Sequence, residues 1–213
     1  KTALLIQIAL NIVASTDKSA YILSLDVSAK QIVKRMISQI IDIDQMTFNS
    51  ENLSKEQKDL MYHYWSIMDA IPIYICDTFG SIKEIARYVK EEVEDGVLLV
   101  DYLQLIDSNV ENGNNRTYSN ASVKRVLKIP MTLKWLAKDK EMPIIVCSQL
   151  LGAVEYHSDK HPTLRDLREA DSIEQHLDSV VFIYRDSYYY IDGGNEDELI
   201  IVKNRNGETV RLM

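Results

Sequence analysis

Apolar residues recur along this chain with two spacings. Residues 2 to 14 (TALLIQIALNIVA) are apolar with the breadth of a helix, and residues 20 to 25 (AYILSL) form a short continuous run that reads as a buried strand. Residues 28 to 41 are amphipathic at the helical period, with Ser28 placed as an N-cap. The alternation continues through a serine-opened helix at 54 to 70, a strand IYIC at 73 to 76, a helix after Ser81 and a strand VLLVD at 97 to 101. The stretch from 107 to 120 is polar and rich in asparagine, which predicts a mobile loop. A basic helical segment follows and ends near Lys140, with a break or a fresh helix start expected at Pro130. PIIVCS (143 to 148) predicts another buried strand, and 150 to 171 a long charged connection. SVVFIYR, SYYYID and ELIIVKN read as strands, with DGGN (192 to 195) as a hairpin turn.

Strands that are apolar throughout and alternate with helices predict an α/β fold, with a mostly parallel sheet covered by helices on both faces. The C-terminal hairpin strands predict an antiparallel extension at one edge. With no internal repeat, linker or low-complexity tract, residues 1–213 read as a single domain.

Composition narrows the function classes. Apolar residues make up 46% and charged residues 26%, ordinary for a globular protein, and no run is long enough to span a bilayer. Membrane partners are therefore not expected, and a cytoplasmic location is. Cys76 and Cys147 lack metal or pairing spacing and close apolar runs, so both read as buried thiols in a reducing compartment. The net charge of −8 excludes a protein that coats nucleic acid with its whole surface. It leaves room for a ring presenting a few basic loops to a central strand.

Five polar residues stand at the ends of predicted elements in an informative order. Lys1 and Thr2 run into an apolar helix, as at the end of a G-x-x-x-x-G-K-T phosphate loop. There the lysine meets phosphates and the threonine hydroxyl holds Mg²⁺. The glycines of that loop are not in the sequence, so the chain is expected to begin partway through its own phosphate loop. Asp26, Asp101 and Gln149 each follow a predicted strand. Asp101 fits the strand-end carboxylate that orients Mg²⁺ through water, and Gln149 fits a γ-phosphate sensor. Taken singly, each residue also fits an ordinary role: a solvated terminus, a strand cap, a loop amide. Strand C-terminal ends share one edge of an open parallel sheet, and there ligands bind.

At VDYLQLI (100 to 106), SQL (148 to 150), DKHPTLRDLREADSIEQHLDSVVFIYRDSYY (159 to 189) and VKNRNG (202 to 207) the sequence resembles the DnaB replicative helicase family over nearly its whole length. The resemblance implies a RecA-like P-loop ATPase core that binds ATP and Mg²⁺. It implies phosphate contact by Lys1 and Thr2, Mg²⁺ at Thr2 and Asp101, and Arg35 near the nucleotide. Asp26 and Gln149 would serve catalysis. Lys203 and Arg205 resemble the pair that reaches a neighbouring subunit's nucleotide. Arg168, Glu169 and Asp171 would lie in the loop that follows the DNA backbone. Single-stranded DNA, a homohexameric ring, a primase and a helicase loader are the partners implied. The family's N-terminal domain has no counterpart here.

The sequence departs from the family at Asp26, where the family has glutamate, at Asp171, where it has glycine, and at Leu151 and Gly152, where an arginine usually follows SQL closely. Aspartate keeps the charge of glutamate with a shorter reach, so slower hydrolysis is expected. Asp26, Asp171 and the missing loop glycines motivate a second reading, a catalytically weakened DnaB-like ring or interaction subunit. A recombinase-like or clock-type ATPase fits less well, because VKNRNG and DLREADSIEQ are not explained by it.

Overall fold

The computed structural model describes residues 1–48, 53–107, 120–167, 173–190 and 197–213, with residues 120–127 described by their backbone alone. The polar stretch after residue 107, the DGGN turn, and Arg168, Glu169 and Asp171 lie outside the described residues. The described residues fall into two compact units, Lys1–Asp107 with Trp135–Cys147 and the remainder.

In the first unit, α1 (Thr2–Ser15) buries Leu5, Ile6 and Ala9, one face at the helical period. It leads into β1 (Ser19–Ser24), whose last five residues are buried. Helix α2 (Ala29–Ile40) starts where Ser28 accepts from the Gln31 N–H, as its sequence predicts. A short α3 (Gln45–Phe48) precedes α4 (Lys55–Ile67), which opens with a reciprocal cap between Ser54 and Gln57. Then come β2 (Ile73–Cys76), α5 (Ile82–Glu91), capped reciprocally by Ser81 and Glu84, and β3 (Gly96–Asp101), buried along its whole length. Helix α6 (Asn120–Asp139), whose residues up to Lys134 belong to the second unit and from Trp135 to the first, and β4 (Ile144–Val146) follow.

The four strands pair in parallel in the order β2-β1-β3-β4, so the two central strands are β1 and β3. The β1–β3 register runs from Ser19 opposite Gly96 to Ser24 opposite Asp101. Leu5, Ile6, Ala9, Ile22, Ile32, Met36 and Leu99 form one apolar core between this sheet and its helices.

Two expectations about these elements are corrected. Helix α6 runs unbroken through Pro130. Proline forfeits one backbone donor and crowds the preceding turn, a cost of about 3 kcal/mol in a helix interior. Burial of Pro130 itself and of Ile129, Leu133 and Leu136 along one helical face offsets it. The buried strand expected at 143 to 148 is three residues long and half-buried, and Cys76 and Cys147 are half-buried too. Cys76 ends β2 and Cys147 follows β4, the outer strands of the described sheet, where one flank lacks a neighbouring strand.

The second unit holds β5 (Ser179–Arg185), β6 (Asp197–Asn204) and β7 (Val210–Leu212), an antiparallel sheet in that order. Three corrections belong here. Among the described residues these strands form a sheet of their own, and the antiparallel extension expected at an edge of the parallel sheet is not seen there. Where a strand was expected at SYYYID, the described residues instead open with a helical turn, α7 (Asp186–Tyr189). Its tyrosines carry β propensity, yet the Tyr184 hydroxyl donates to Asp186 at 2.9 Å and Tyr189 stacks back on Tyr184, contacts that a turn allows. Strand β7 was not anticipated, because VRL is too short and too exposed to show a pattern. Val180, Phe182, Tyr184, Ile200 and Leu167 form the core of this unit. The charged connection before it is pinned by Asp166, a buried carboxylate that accepts from the Thr163 N–H at 2.7 Å and hydroxyl at 2.8 Å and lies 3.2 Å from His157 Nε2.

Gly96 opens β3 with φ of +150°, and a Cβ there would stand 2.0 Å from the Ser19 carbonyl oxygen. Gly96→Ala is therefore expected to destabilise the fold by about 3 kcal/mol, combining backbone strain with forced separation of β1 from β3. Urea denaturation checks this. An unchanged midpoint would mean that the two central strands separate at Gly96 without cost.

Candidate functional site

The C-terminal ends of β1, β3 and β4 carry the candidate residues of the first unit. Asp101 ends β3 and is only 1% exposed. Burying a carboxylate is costly unless hydrogen bonds or cations meet its oxygens. One oxygen, Oδ2, accepts a hydrogen bond of 2.5 Å from the hydroxyl of Thr2, the first residue of α1. The other, Oδ1, is buried with no partner among the described residues. A hydroxyl and a carboxylate held together this way, with one lone-pair set unspent, suit a hard divalent cation and its water.

Lys1 lies next to this pair. Its ammonium sits 4.0 Å from the centre of the Tyr102 ring, a cation–π contact, and among the described residues no carboxylate pairs with it. Tyr102 follows Asp101 directly, through a cis peptide. Asp26 is exposed in the bend after β1. That bend is tied to the site by its backbone, because the Leu25 N–H donates to the Asp101 carbonyl at 2.8 Å, and it is closed by the Ser24 hydroxyl donating to the Val27 carbonyl at 2.6 Å. Arg35 is half-buried on α2, where its carbonyl accepts from the Ser38 hydroxyl.

Cys147 completes the row. Its N–H donates to the Val100 carbonyl and its carbonyl accepts from the Leu103 N–H, both at 2.9 Å, so its backbone brackets Asp101. Burial pushes its thiol up to about 11, the negative charge of Asp101 and a hydrogen bond to that carboxylate add to the rise, and the Lys1 ammonium opposes it.

The remaining candidates belong to the second unit. Gln149 is exposed, two residues beyond Cys147. Lys203 donates from Nζ to the Glu174 carbonyl at 2.6 Å, with the Glu174 carboxylate 3.8 Å away. Arg205 pairs with Asp178 at 3.2 Å through its guanidinium, and its N–H donates to the Asp178 carbonyl at 2.8 Å. Lys134 joins the same carboxylate, and its hydrogen bond is the main reason that Asp178 is held below the ordinary carboxylate range. Thus Thr2, Asp101 and Lys1 are brought together, with the backbone of the Asp26 bend against them. Lys203 and Arg205 are brought side by side on one strand end and tied down by acids that sequence reasoning missed. Tyr102 and Cys147 were missed as well. The signal for Cys147 was available, because LLVD and IIVC are adjacent parallel strands whose last residues fall level.

Known proteins share this arrangement of strands and helices. The family model of the DnaB-like helicase C terminal domain matches residues 1–213. The replicative DNA helicase DnaC of Bacillus subtilis (strain 168) is 37% identical over 213 residues, covering 97% of this chain and 46% of that protein. The chain spans about half the length of the curated relatives it matches. Among solved structures, one described as an ATPase domain superposes with a TM-score of 0.87 at 26% identity, covering 100% of this chain and 75% of that one. A DnaB-like replicative helicase, described with its interactions with primase, gives the same TM-score and identity over 99% of this chain and 52% of that one. The fold is thus the RecA-like ATPase core expected from the sequence.

The elevated thiol yields a direct test. An ordinary thiol is about half ionised near pH 8.5, and its thiolate is the species that alkylates. Cys147 is expected to react slowly with iodoacetamide there and to accelerate only as pH approaches about 11. Asp101→Asn removes a negative charge and should bring the rise to lower pH. Peptide-resolved mass spectrometry reads both, and identical pH profiles for the two proteins would show that the Asp101 charge does not reach the thiol.

Proposed function

The chain belongs to the DnaB-like helicase C-terminal domain family, and from that premise we propose that it is the ATPase motor of a replicative DNA helicase, coupling ATP hydrolysis to movement along single-stranded DNA and to separation of the duplex. The observation that carries this reading is the Thr2–Asp101 pair at the start of α1, with the second carboxylate oxygen buried and unpartnered among the described residues. Residues 1–213 act as one motor domain within a homohexamer in the cytoplasm. No helix among the described residues is long and apolar enough to cross a membrane. Primase and a helicase loader are the proposed protein partners; one structural neighbour is described together with primase.

In this reading Lys1 and the first N–H groups of α1 bind the phosphates of ATP, where the helix dipole favours negative charge. Thr2 Oγ1 and Asp101, the latter through water, hold Mg²⁺, which when bound neutralises charge on the phosphate oxygens. Asp26 orients the attacking water, Gln149 senses the γ-phosphate, and Arg35 lies beside the nucleotide. Lys203 and Arg205 serve a neighbour's nucleotide across the ring. Arg168, Glu169 and Asp171 follow the DNA backbone. A second reading, a catalytically weakened ring or interaction subunit, is favoured by the short side chain at Asp26.

Steady-state ATPase assay of the protein that carries this chain separates the two. The motor reading expects turnover that rises with single-stranded DNA, and Asp26→Glu should raise it further by restoring reach to the water. Turnover absent from both proteins would leave the weakened subunit as the better account. Turnover lowered by Asp26→Glu would show that the bend has adapted to aspartate.

The trans assignment has its own test. Arg205→Ala is expected to lower turnover by about 10³ to 10⁵ while sparing nucleotide binding, the range for such arginines. Mixing Arg205→Ala subunits with Lys1→Ala subunits places an intact arginine beside an intact phosphate site at some interfaces, so part of the activity should return. Rings that form and stay inactive would remove Arg205 from the neighbour's site.

A further inference from the structure

We propose that the cation position at the end of β3 is also a site for a thiophilic divalent cation of the Zn²⁺ or Cd²⁺ kind, with Cys147 supplying the sulfur ligand beside Asp101. The inference rests on the geometry of the Thr2–Asp101 pair and does not depend on ATP turnover.

Register brings the sulfur there. Val100 pairs with Val146 in parallel, so one residue further Asp101 lies level with Cys147. Side chains alternate between faces along a strand, and level residues on parallel neighbours share a face. Leu99, Ile145 and Cys147 pack against one core together with Ile22 and α1. Asp101, two residues beyond Leu99, therefore faces the same side as Cys147, and that is the side from which Thr2 reaches its carboxylate. The backbone bonds of Cys147 to Val100 and Leu103 fix the two residues abreast.

The second observation is the carboxylate. Asp101 is 1% exposed, and its Oδ1 is buried without a partner among the described residues. A cation bridging the carboxylate and the Cys147 sulfur takes the place of the thiol–carboxylate contact and meets the buried oxygen. Oxygen ligands alone suit Mg²⁺; a thiolate selects Zn²⁺ and softer ions. On binding, the S–H bond of Cys147 breaks, a sulfur–metal bond forms and the proton passes to solvent. Cys147 is half-buried, so the ion and the proton have a route.

The ligand set bounds the site. No cluster of three or more His, Cys, Asp or Glu among the described residues is placed to hold a metal. Cys147 and Asp101 are the two strong ligands, the Thr2 hydroxyl is a weak third, and water or a phosphate oxygen must complete the shell. Such an open site exchanges its ion; structural zinc sites are closed by four protein ligands. The chemical consequence is competition: a thiophilic ion and Mg²⁺ share Asp101 and Thr2, and only the former engages sulfur.

Cadmium is the probe, because a cadmium–thiolate bond absorbs in the ultraviolet where the free ion and Mg²⁺ do not. Titrating the nucleotide-free protein that carries this chain with Cd²⁺ should give a band saturating at one ion per chain. The band should survive Cys76→Ser, disappear in Cys147→Ser, weaken at least tenfold in apparent affinity in Asp101→Asn, and recede under excess Mg²⁺. A band that persists unchanged in Asp101→Asn or resists Mg²⁺ would mean that sulfur binds without the carboxylate, which overturns the shared site. No band in the wild type, with circular dichroism showing the protein folded, overturns it equally, and either failure leaves the ATPase reading standing.

Discussion

The structure depends on carrying one carboxylate into the interior. Asp101 ends the most buried strand of the parallel sheet, where an ion in a poorly hydrated setting costs several kcal/mol unless its oxygens are met. Everything around it answers that cost. β1 and β4 flank β3 so that its backbone is paired on both sides. α1 must begin above the strand end, because only its first hydroxyl reaches Oδ2. The apolar faces of α1 and α2 against Ile22 and Leu99 hold that helix in place. The packing of the core and the placement of the chemistry are in this sense one problem, solved by register.

Much of this unit was legible in the sequence. Ser28, Ser54 and Ser81 announce their helices because an N-cap is a local device whose partner lies three residues on. The strands of the parallel sheet read as short apolar runs because strands buried on both faces need no alternation. Thr2 and Asp101 could be proposed as partners from their order alone, although they are 99 positions apart. What could not be read was decided by non-local contacts. Pro130 signals a break locally, and burial of the surrounding helix face outweighs it. SYYYID carries strand propensity, and the Tyr184 and Tyr189 contacts turn it into α7.

The acids that hold the basic residues of the antiparallel sheet were equally invisible. Nothing in EQHLDS marks Asp178 as the partner of Lys134 and Arg205, because the pairing arises from the sheet register and from a helix more than forty residues upstream. A paired basic side chain is both aimed and restrained. Exposed ion pairs are worth about 0–1 kcal/mol, so this restraint orients Arg205 without locking it. Lys203 is similarly anchored to the Glu174 backbone, and the two residues leave the end of β6 with their directions already set.

The resting place of Lys1 has a consequence for the thermodynamics of ligand exchange. Its ammonium lies over the face of Tyr102 and not against a carboxylate. An exposed cation–ring contact is worth about 0.5–1 kcal/mol, whereas a polyphosphate offers full charges and several oxygens. In the exchange proposed above, handing the ammonium from ring to phosphate would leave behind no abandoned anion and only a small cost in enthalpy. The ring keeps the long side chain partly ordered meanwhile, so less rotamer freedom remains to be lost at the moment of capture. For that proposed exchange Tyr102 would be a shallow holding well, deep enough to aim the charge and shallow enough to give it up.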